Sequence, residues 1–276
     1  MTQHISRPVI AVMTDFGSGD GDVGVMKGVM LGIAPDAQII DITHDVAPQN
    51  VPSGAWILAS AYRYFPRNTV FVCVVDPGVG SSRGAIALHA GDWFFVGPDN
   101  GLFSYVMAEQ PVHGVVQLNN PAYHRPEVSS TFHGRDIFAP TGAHLALGTT
   151  EVLPKLGTQL DPATLVRLPT SQATRTGNMI DGHILHVDHF GNLITSIPLE
   201  MVPDLFDAPG IQAIFSQKGR TVNQVRRFFA DGPVDGEPFI YGDSSGYVGI
   251  AVRNGSAAKT LGVGYGAAIT LVIPRK

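Results

Sequence analysis

"TVFVCVVDPGVGSSR" occupies residues 69–83. Its first part, Thr69 to Val75, is a run of strand-formers with no apolar–polar alternation. A strand of that kind is covered on both faces, as in a parallel sheet between layers of helices. The run ends in Asp76. Pro77, Gly78, Gly80, Ser81 and Ser82 then read as a tight turn that delivers Arg83. Asp76 is either the end of a strand or the start of a site.

Working outward, the first half alternates. "VIAVMT" (9–14) and "QIIDIT" (38–43) read as strands. "VGVMKGVMLGIA" (23–34) reads as a helix with Asp22 as its N-cap, stopped by Pro35. Gly24, Gly28 and Gly32 share one face of it. Each costs about 0.8–1 kcal/mol relative to alanine, a penalty that close approach to a sheet would offset. "VPSGAWILASAYRYF" (51–65) reads as a second helix, and a third begins in "RDIFAPTGAHLALG" (135–148). Strand–helix–strand–helix–strand predicts an α/β layered domain with a mostly parallel sheet. After a linker near 155–177 the helical period stops. "MIDGHILHVDHFGNLITSI", "IQAIFS", "PFIYG", "GYVGIAV" and "AAITLVI" are short strands between turns, which predict a smaller antiparallel β-barrel. The expected domains are 1–165 and 166–276.

Composition limits the function. Of 276 residues, 44% are apolar and only 15% charged, which predicts an oligomer that hides surface between copies. The net charge of −5 and the lack of a basic run exclude a nucleic-acid partner. No stretch of eighteen apolar residues is present, so no membrane span is expected. The N-terminal "MTQHISRPVIAVMT" lacks the apolar core and cleavage site of a signal peptide. The single Cys73 reads as a small core residue. A cytoplasmic protein is expected.

In parallel sheets, ligands bind at the carboxyl ends of the strands. Polar groups gather there: Asp15, Asp20 and Asp22 after the first strand, Asp41, His44 and Asp45 after the second, Asp76 and Arg83 after the third. "STFHGRDIF" adds His133, Arg135 and Asp136. His44, Asp45 and Asp136 have an alternative reading as caps or local pairs. "DFGSGDGD" matches neither the dinucleotide glycine pattern nor the P-loop, and its acids would repel phosphate. It also lacks the spacing of a calcium loop. In "HILHVDHF", His186 and Asp188 share one strand face while His183 and His189 share the other, a poor metal cage. No metal is expected. With no G-x-S-x-G elbow and Cys73 in a core strand, the remaining constellation of Asp, Arg and His suits a bound water.

These residues carry a resemblance. "TDFG", "DITHDVAPQNV", "VVDPGVGSSR", "GPDNGLF", "TFHGRDIFAP", "HVDHFGNLITSI" and "SSGYVGIAVRNGSAA" occur in order and together resemble the S-adenosyl-L-methionine hydroxide adenosyltransferases, hydrolases related to the fluorinase and chlorinase enzymes. The resemblance implies a homotrimer with ligand held between the N-terminal domain of one subunit and the C-terminal domain of its neighbour. It implies attack of water or hydroxide on the ribose C5′ of S-adenosylmethionine, giving adenosine and L-methionine, with no cofactor. The family's catalytic Asp–Arg–His set falls on Asp76, Arg83 and His133. Asp15 matches the ribose-binding acid. Asp20 and Asp22 lie at the methionine end, Asp188 at the methionine amino group, Phe190 and Asn192 at adenine, Ser244 at methionine and Val252 near adenine. Gln49 stands where halogenating relatives have a tryptophan beneath the ribose. Ser245 stands where they have an arginine for the methionine carboxylate, and Arg253 lies several residues out of that register. Those relatives carry tyrosine at the position of Asp76, whose negative charge would repel halide. Halide adenosyl transfer, and a binding protein without turnover, are the alternatives.

Overall fold

A computed structural model describes residues 7–169, 173–234 and 236–274. The chain divides into two compact units, Met1–Thr170 and Ser171–Lys276.

Unit 1 is built on a seven-stranded sheet in the order β2-β1-β3-β5-β4-β6-β7. The strands are β1 (Val9–Thr14), β2 (Gln38–Thr43), β3 (Val70–Val74), β4 (Ala85–Ala90), β5 (Trp93–Pro98), β6 (Val112–Leu118) and β7 (Gly157–Gln159). β2, β1, β3 and β5 pair in parallel, while β4 and β7 run against their neighbours. Five of the seven strands therefore share one direction, in keeping with the apolar runs that predicted a mostly parallel sheet. The period-2 geometry of β3 splits its side chains between two cores. Val70, Val72 and Val74 pack with Met26, Met30 and Phe138 on one face. Phe71, Cys73 and Val75 pack with Leu58, Tyr62 and Phe103 on the other. Cys73 is fully buried, and burial alone pushes its thiol far above the ordinary range, so it is an inert core residue.

Helices α1 (Asp22–Ile33), α2 (Val51–Ala61), α3 (Ser104–Glu109) and α4 (Ala139–Val152) cover the sheet. Asn50 caps α2 by accepting from the Ser53 amide. Two details of α1 differ from the sequence reading. Gly21 holds the N-cap position without a side-chain bond, and Asp22 is the first helical residue. The buried stripe is Val23, Met26 and Met30, so Gly24, Gly28 and Gly32 point away from the sheet. A Cβ on any of them would meet nothing within 4 Å. The glycine face is exposed together with Val25 and Leu31.

The linker predicted at 155–177 is also partly structured. β7 completes the sheet of unit 1, and β8 (Thr174–Thr176) pairs with the first long strand of unit 2. Residues 170–172 of that linker lie outside the described residues.

Unit 2 contains β9 (Met179–Val187), β10 (Leu193–Pro198), β11 (Gln212–Phe215), β12 (Arg220–Val222), β13 (Pro238–Gly242), β14 (Tyr247–Val252), α5 (Ala257–Leu261) and β15 (Ala268–Val272). The order is β12-β11-β15-β9-β10-β14-β13, and neighbours pair antiparallel throughout. The segment after β12 bonds back to β13: Ile240 N donates to Gln224 O, and Arg226 N donates to Ile240 O. This brings the two ends of the sheet together, so the unit is nearly closed and barrel-like. Ile180, Leu193, Phe215, Ile250 and Leu271 fill the interior.

Candidate functional site

The carboxyl ends of β1, β2 and β3 meet at one sheet edge, as their parallel pairing requires. Beyond β3 the chain turns through Val79 N→Asp76 O (3.2 Å) and Ser81 N→Gly78 O (3.1 Å). Ser81 Oγ also donates to Gly78 O and accepts from Arg83 N. The turn folds Arg83 back on Asp76. Arg83 Nε donates to both carboxylate oxygens at 2.9 Å, and Nη2 donates to Oδ2 at 2.5 Å. The side chains are nearly sealed, Asp76 at 3% and Arg83 at 10% exposure. Arg83 Nη2 also lies 2.8 Å from His133 Nδ1, and its guanidinium rests over Phe138. Asp76, Arg83 and His133 thus form one chain of hydrogen bonds across a gap of fifty residues.

His133 reaches this place because two segments pass very close. A Cβ on Gly80 would sit 2.2 Å from Ser130 O, and Gly80 has φ +76°. Only glycine accepts both conditions without strain. Burial lowers the His133 pKa, and the Arg83 charge lowers it further, while Asp76 and Asp136 act in the opposite sense. Asp136 itself is fully buried, and although burial raises its pKa, bonds from Arg135 and the Ser129 amide hold the carboxyl below its ordinary value. Its place is thus inside a salt-bridged network, not at a helix N-cap.

Asp15 follows β1 and accepts from Gln49 N at 2.7 Å, with Gln49 in a left-handed conformation at φ 62°. Behind it Thr14 Oγ1 meets His44 Nδ1 at 2.9 Å, and His44 Nε2 meets Asp41 at 3.1 Å. Asp41 also accepts from Lys27 at 2.6 Å. Burial raises the Asp41 pKa, but Lys27 and His44 outweigh it and hold the carboxyl below its usual value. His44 is therefore a brace between the first two strands. Asp20 lies exposed on the loop into α1 and Asp22 lies exposed at its first position, with Arg135 close enough to feel the charge of Asp22.

Unit 2 gathers a second set. Between β9 and β10, Asp188 organises its own turn: Oδ1 accepts from Phe190 N (2.9 Å) and Asn192 N (2.8 Å), and Oδ2 accepts from Asn192 Nδ2 (2.7 Å). The turn holds Asn192 buried while Phe190 stays 73% exposed. Gly191 lets Ser256 approach, since a Cβ there would sit 2.1 Å from Ser256 Oγ. Phe190, Asn192, Val252 and Arg253 line a cleft of about 690 Å³. Phe229, Ala230, Asn254 and Gly255 line it too. The sequence reading missed these four because Phe229 and Ala230 lie in a single 3₁₀ turn and Asn254 and Gly255 in the turn after β14, neither long enough to show a period; the Phe228–Phe229 pair in a polar stretch was the available signal. Ser244 and Ser245 occupy the turn before β14, where Ser245 N donates to Asp243 Oδ1 at 2.8 Å. Arg253 follows the other end of β14, a strand about 20 Å long. Tyr241 OH donates to Asp243 at 3.3 Å, and both Asp188 and Asp243 act electrostatically on His186. Asp243 is a further acid that the sequence reading passed over.

Among the described residues no group of three or more His, Cys, Asp or Glu side chains is arranged to hold a metal ion. No helix among them is long and apolar enough to cross a membrane.

An α/β unit with an Asp–Arg–His cluster at its strand ends, followed by a barrel with an aromatic-lined cleft, defines a two-domain protein built to handle a small organic molecule. The match to known proteins is specific. Residues 10–153 match the SAM hydroxide adenosyltransferase N-terminal domain and residues 182–270 the SAM hydroxide adenosyltransferase C-terminal domain. The chain belongs to this family. It is 41% identical over 262 residues to a protein of Salinispora arenicola (strain CNS-205) named (R)-S-adenosyl-L-methionine hydrolase, covering 94% of this chain and 95% of the relative. A fluorinase of Actinoplanes sp. (strain N902-109) is 31% identical, covering 89% of this chain and 91% of the relative. A crystal structure of an uncharacterized conserved protein from Thermotoga maritima superposes with a TM-score of 0.85 at 37% identity, covering 95% of this chain and 99% of the other.

Proposed function

We propose that this protein hydrolyses S-adenosyl-L-methionine to adenosine and L-methionine. The observation that carries the reading is the hydrogen-bonded set Asp76–Arg83–His133 at a parallel-sheet edge. The relatives named as hydrolases are named for the R configuration at sulfur, and we extend that preference to this chain.

The sulfonium leaves as a neutral thioether, so the leaving group needs no acid. The nucleophile is the difficulty, since water is weak and hydroxide scarce at neutral pH. Arg83 is always protonated and can only donate. His133 Nδ1, 2.8 Å from Arg83 Nη2, is therefore the acceptor. The neutral ring then carries its proton on Nε2. That leaves the Asp76 carboxylate as the proton acceptor: three N–H contacts from Arg83 use part of its roughly four lone-pair sites. In the proposed step the water oxygen bonds to C5′ and the C5′–S pair goes to sulfur. The water proton passes to Asp76. His133 Nε2–H orients the water, and Arg83 steadies the charge that develops. Asp15, Gln49, Asp20 and Asp22 are proposed contacts to the ribose and methionine. Asp188, Phe190, Asn192, Ser244 and Val252 are proposed contacts from the barrel unit.

Asp76 also argues against halide as nucleophile, because its carboxylate would repel an anion placed beside it. We further propose a cytoplasmic homotrimer that needs no cofactor, with each site shared between neighbouring copies; the charge-poor composition supports the assembly. The test is incubation with each sulfonium epimer in ¹⁸O-labelled water, with chloride or fluoride present. Adenosine labelled at the 5′-oxygen, formed faster from the R epimer, is the expected product. Unlabelled adenosine, or a 5′-halogenated nucleoside, overturns the mechanism.

A further inference from the structure

We infer that Asp136 is a positioning residue for this reaction, setting His133 against Arg83 without itself touching substrate; this rests on the hydrolase reading above. Its carboxylate has no exposure to solvent. Arg135 holds it with two bonds, Nε to Oδ1 at 2.7 Å and Nη2 to Oδ2 at 2.8 Å. Arg125 Nε approaches Oδ1 at 3.4 Å, and Ser129 N donates to Oδ2 at 2.9 Å. The backbone adds two ties: Arg125 N donates to Asp136 O (2.9 Å), and Asp136 N donates to Phe132 O (3.1 Å).

The pattern of these bonds locates the role. Residues 124–132 form no helix or strand, yet they lead directly into His133. Asp136 ties to this loop at Arg125, Ser129 and Phe132: its carboxylate reaches the Arg125 side chain and the Ser129 amide, while its backbone bonds Arg125 N and Phe132 O. It sits in the π-helical turn Gly134–Phe138, which begins immediately after His133. Single π turns are rare and are frequent at functional sites. The same loop places Ser130 O against Gly80, in the turn that carries Arg83. Arg135 lies over the Phe132 ring, with its Cζ 5.0 Å from the centroid, so the neighbouring aromatic is held too. Loosening Asp136 would loosen both flanks of His133, and misplacement of a reacting group by about 1 Å can lower a rate about 100-fold.

The test is a double-mutant cycle. Asp136→Asn keeps the shape and removes the charge that holds two guanidinium groups. It is expected to lower kcat at least about tenfold with KM within about twofold. In a His133→Ala background the same change is expected to alter residual turnover by less than about twofold, because its effect passes through the ring. A folded Asp136→Asn protein at wild-type kcat, or an equal loss with and without His133, overturns the proposal. Should Asp136→Asn fail to fold, Arg135→Gln is carried through the same cycle. A severalfold loss that vanishes without His133 supports the role, and wild-type turnover sinks it. A wild-type protein that forms no adenosine refutes the hydrolase reading alone. The positioning claim is then read from the ¹⁵N shifts of the His133 ring, which report the tautomer fixed by the bond from Arg83 Nη2 to Nδ1. Asp136→Asn is expected to mix the two tautomers, and an unchanged Nε2–H tautomer overturns the claim.

Discussion

At the scale of the residue, the proposed chemistry follows from which atoms can donate. Arg83 fills one side of Asp76 and the Nδ1 of His133, so it fixes both partners in one protonation pattern. Asp76→Asn removes the proton acceptor and is expected to lower kcat by about 10²–10⁴, the usual worth of a positioned acid or base. Arg83→Lys keeps the charge but loses the forked geometry, and a loss of similar order is expected. Turnover by each variant, compared with its assembly state, checks both; wild-type rates in either would refute the water-activation assignment. The pH profile gives an independent reading. Burial and then Arg83 lower the His133 pKa from 6.5. The neutral ring is therefore favoured by folding. Its contribution to stability is fully present above pH 6.5 and is lost as pH falls through the lower folded value. Protonation also puts a proton on Nδ1 facing Arg83, which breaks the bond between them. The acid limb of kcat is accordingly expected below pH 6.5 and is expected to move in His133→Ala. A limb centred above 6.5 would count against His133 acting as the neutral partner.

At the scale of the element, the site depends on a strand, a turn and a loop meeting closely. Gly80 is the sharpest test, because its φ of +76° and the 2.2 Å approach of Ser130 O exclude a side chain. Gly80→Ala is expected to destabilise the protein by about 1–3 kcal/mol, the usual size of backbone strain. It is also expected to lower kcat by moving the His133 loop. Thermal unfolding and turnover measured together check this, and an unchanged melting temperature would show that the turn yields freely. The strands and the Asp76 turn were legible because both are local: β3 is a continuous apolar run, and Pro77, Gly78 and Gly80 announce the bend. The meeting with His133 was not, since no spacing rule links residues fifty apart; only the resemblance of "TFHGRDIFAP" pointed to it. The α1 glycines show another limit. Periodicity placed Gly24, Gly28 and Gly32 on one face but could not say which, and Val23, Met26 and Met30 take the sheet. In the barrel, Asp188 and Asn192 were legible as a motif, whereas the bonds between them, which leave Asn192 buried and Phe190 exposed, come from the turn. Phe229 reaches the same cleft from a distant 3₁₀ turn, where sequence pattern has nothing to count.

At the scale of the whole molecule, the two candidate sets lie in different units, with Asp76 in the first and Phe190 in the second. A proposed trimer that builds each site from the first unit of one copy and the second unit of the next has a consequence that no monomer shares. Asp76→Ala damages the first-unit half, and Phe190→Ala damages the cleft of the second. Each variant alone is expected to lose most activity and to keep a solution mass three times 29.3 kDa. When the two are unfolded, mixed in equal amounts and refolded, subunits assort at random within a closed ring. One site in about four then pairs an intact first unit with an intact second unit from its neighbour. Recovery of about a quarter of wild-type turnover is the expected outcome, against almost none when the same proteins are mixed without unfolding. A site formed within a single chain gives no recovery in either case, since every copy then carries its own defect. A sharing arrangement is therefore separated from a merely trimeric one by turnover in the mixed sample, with light scattering confirming that all preparations have the same mass.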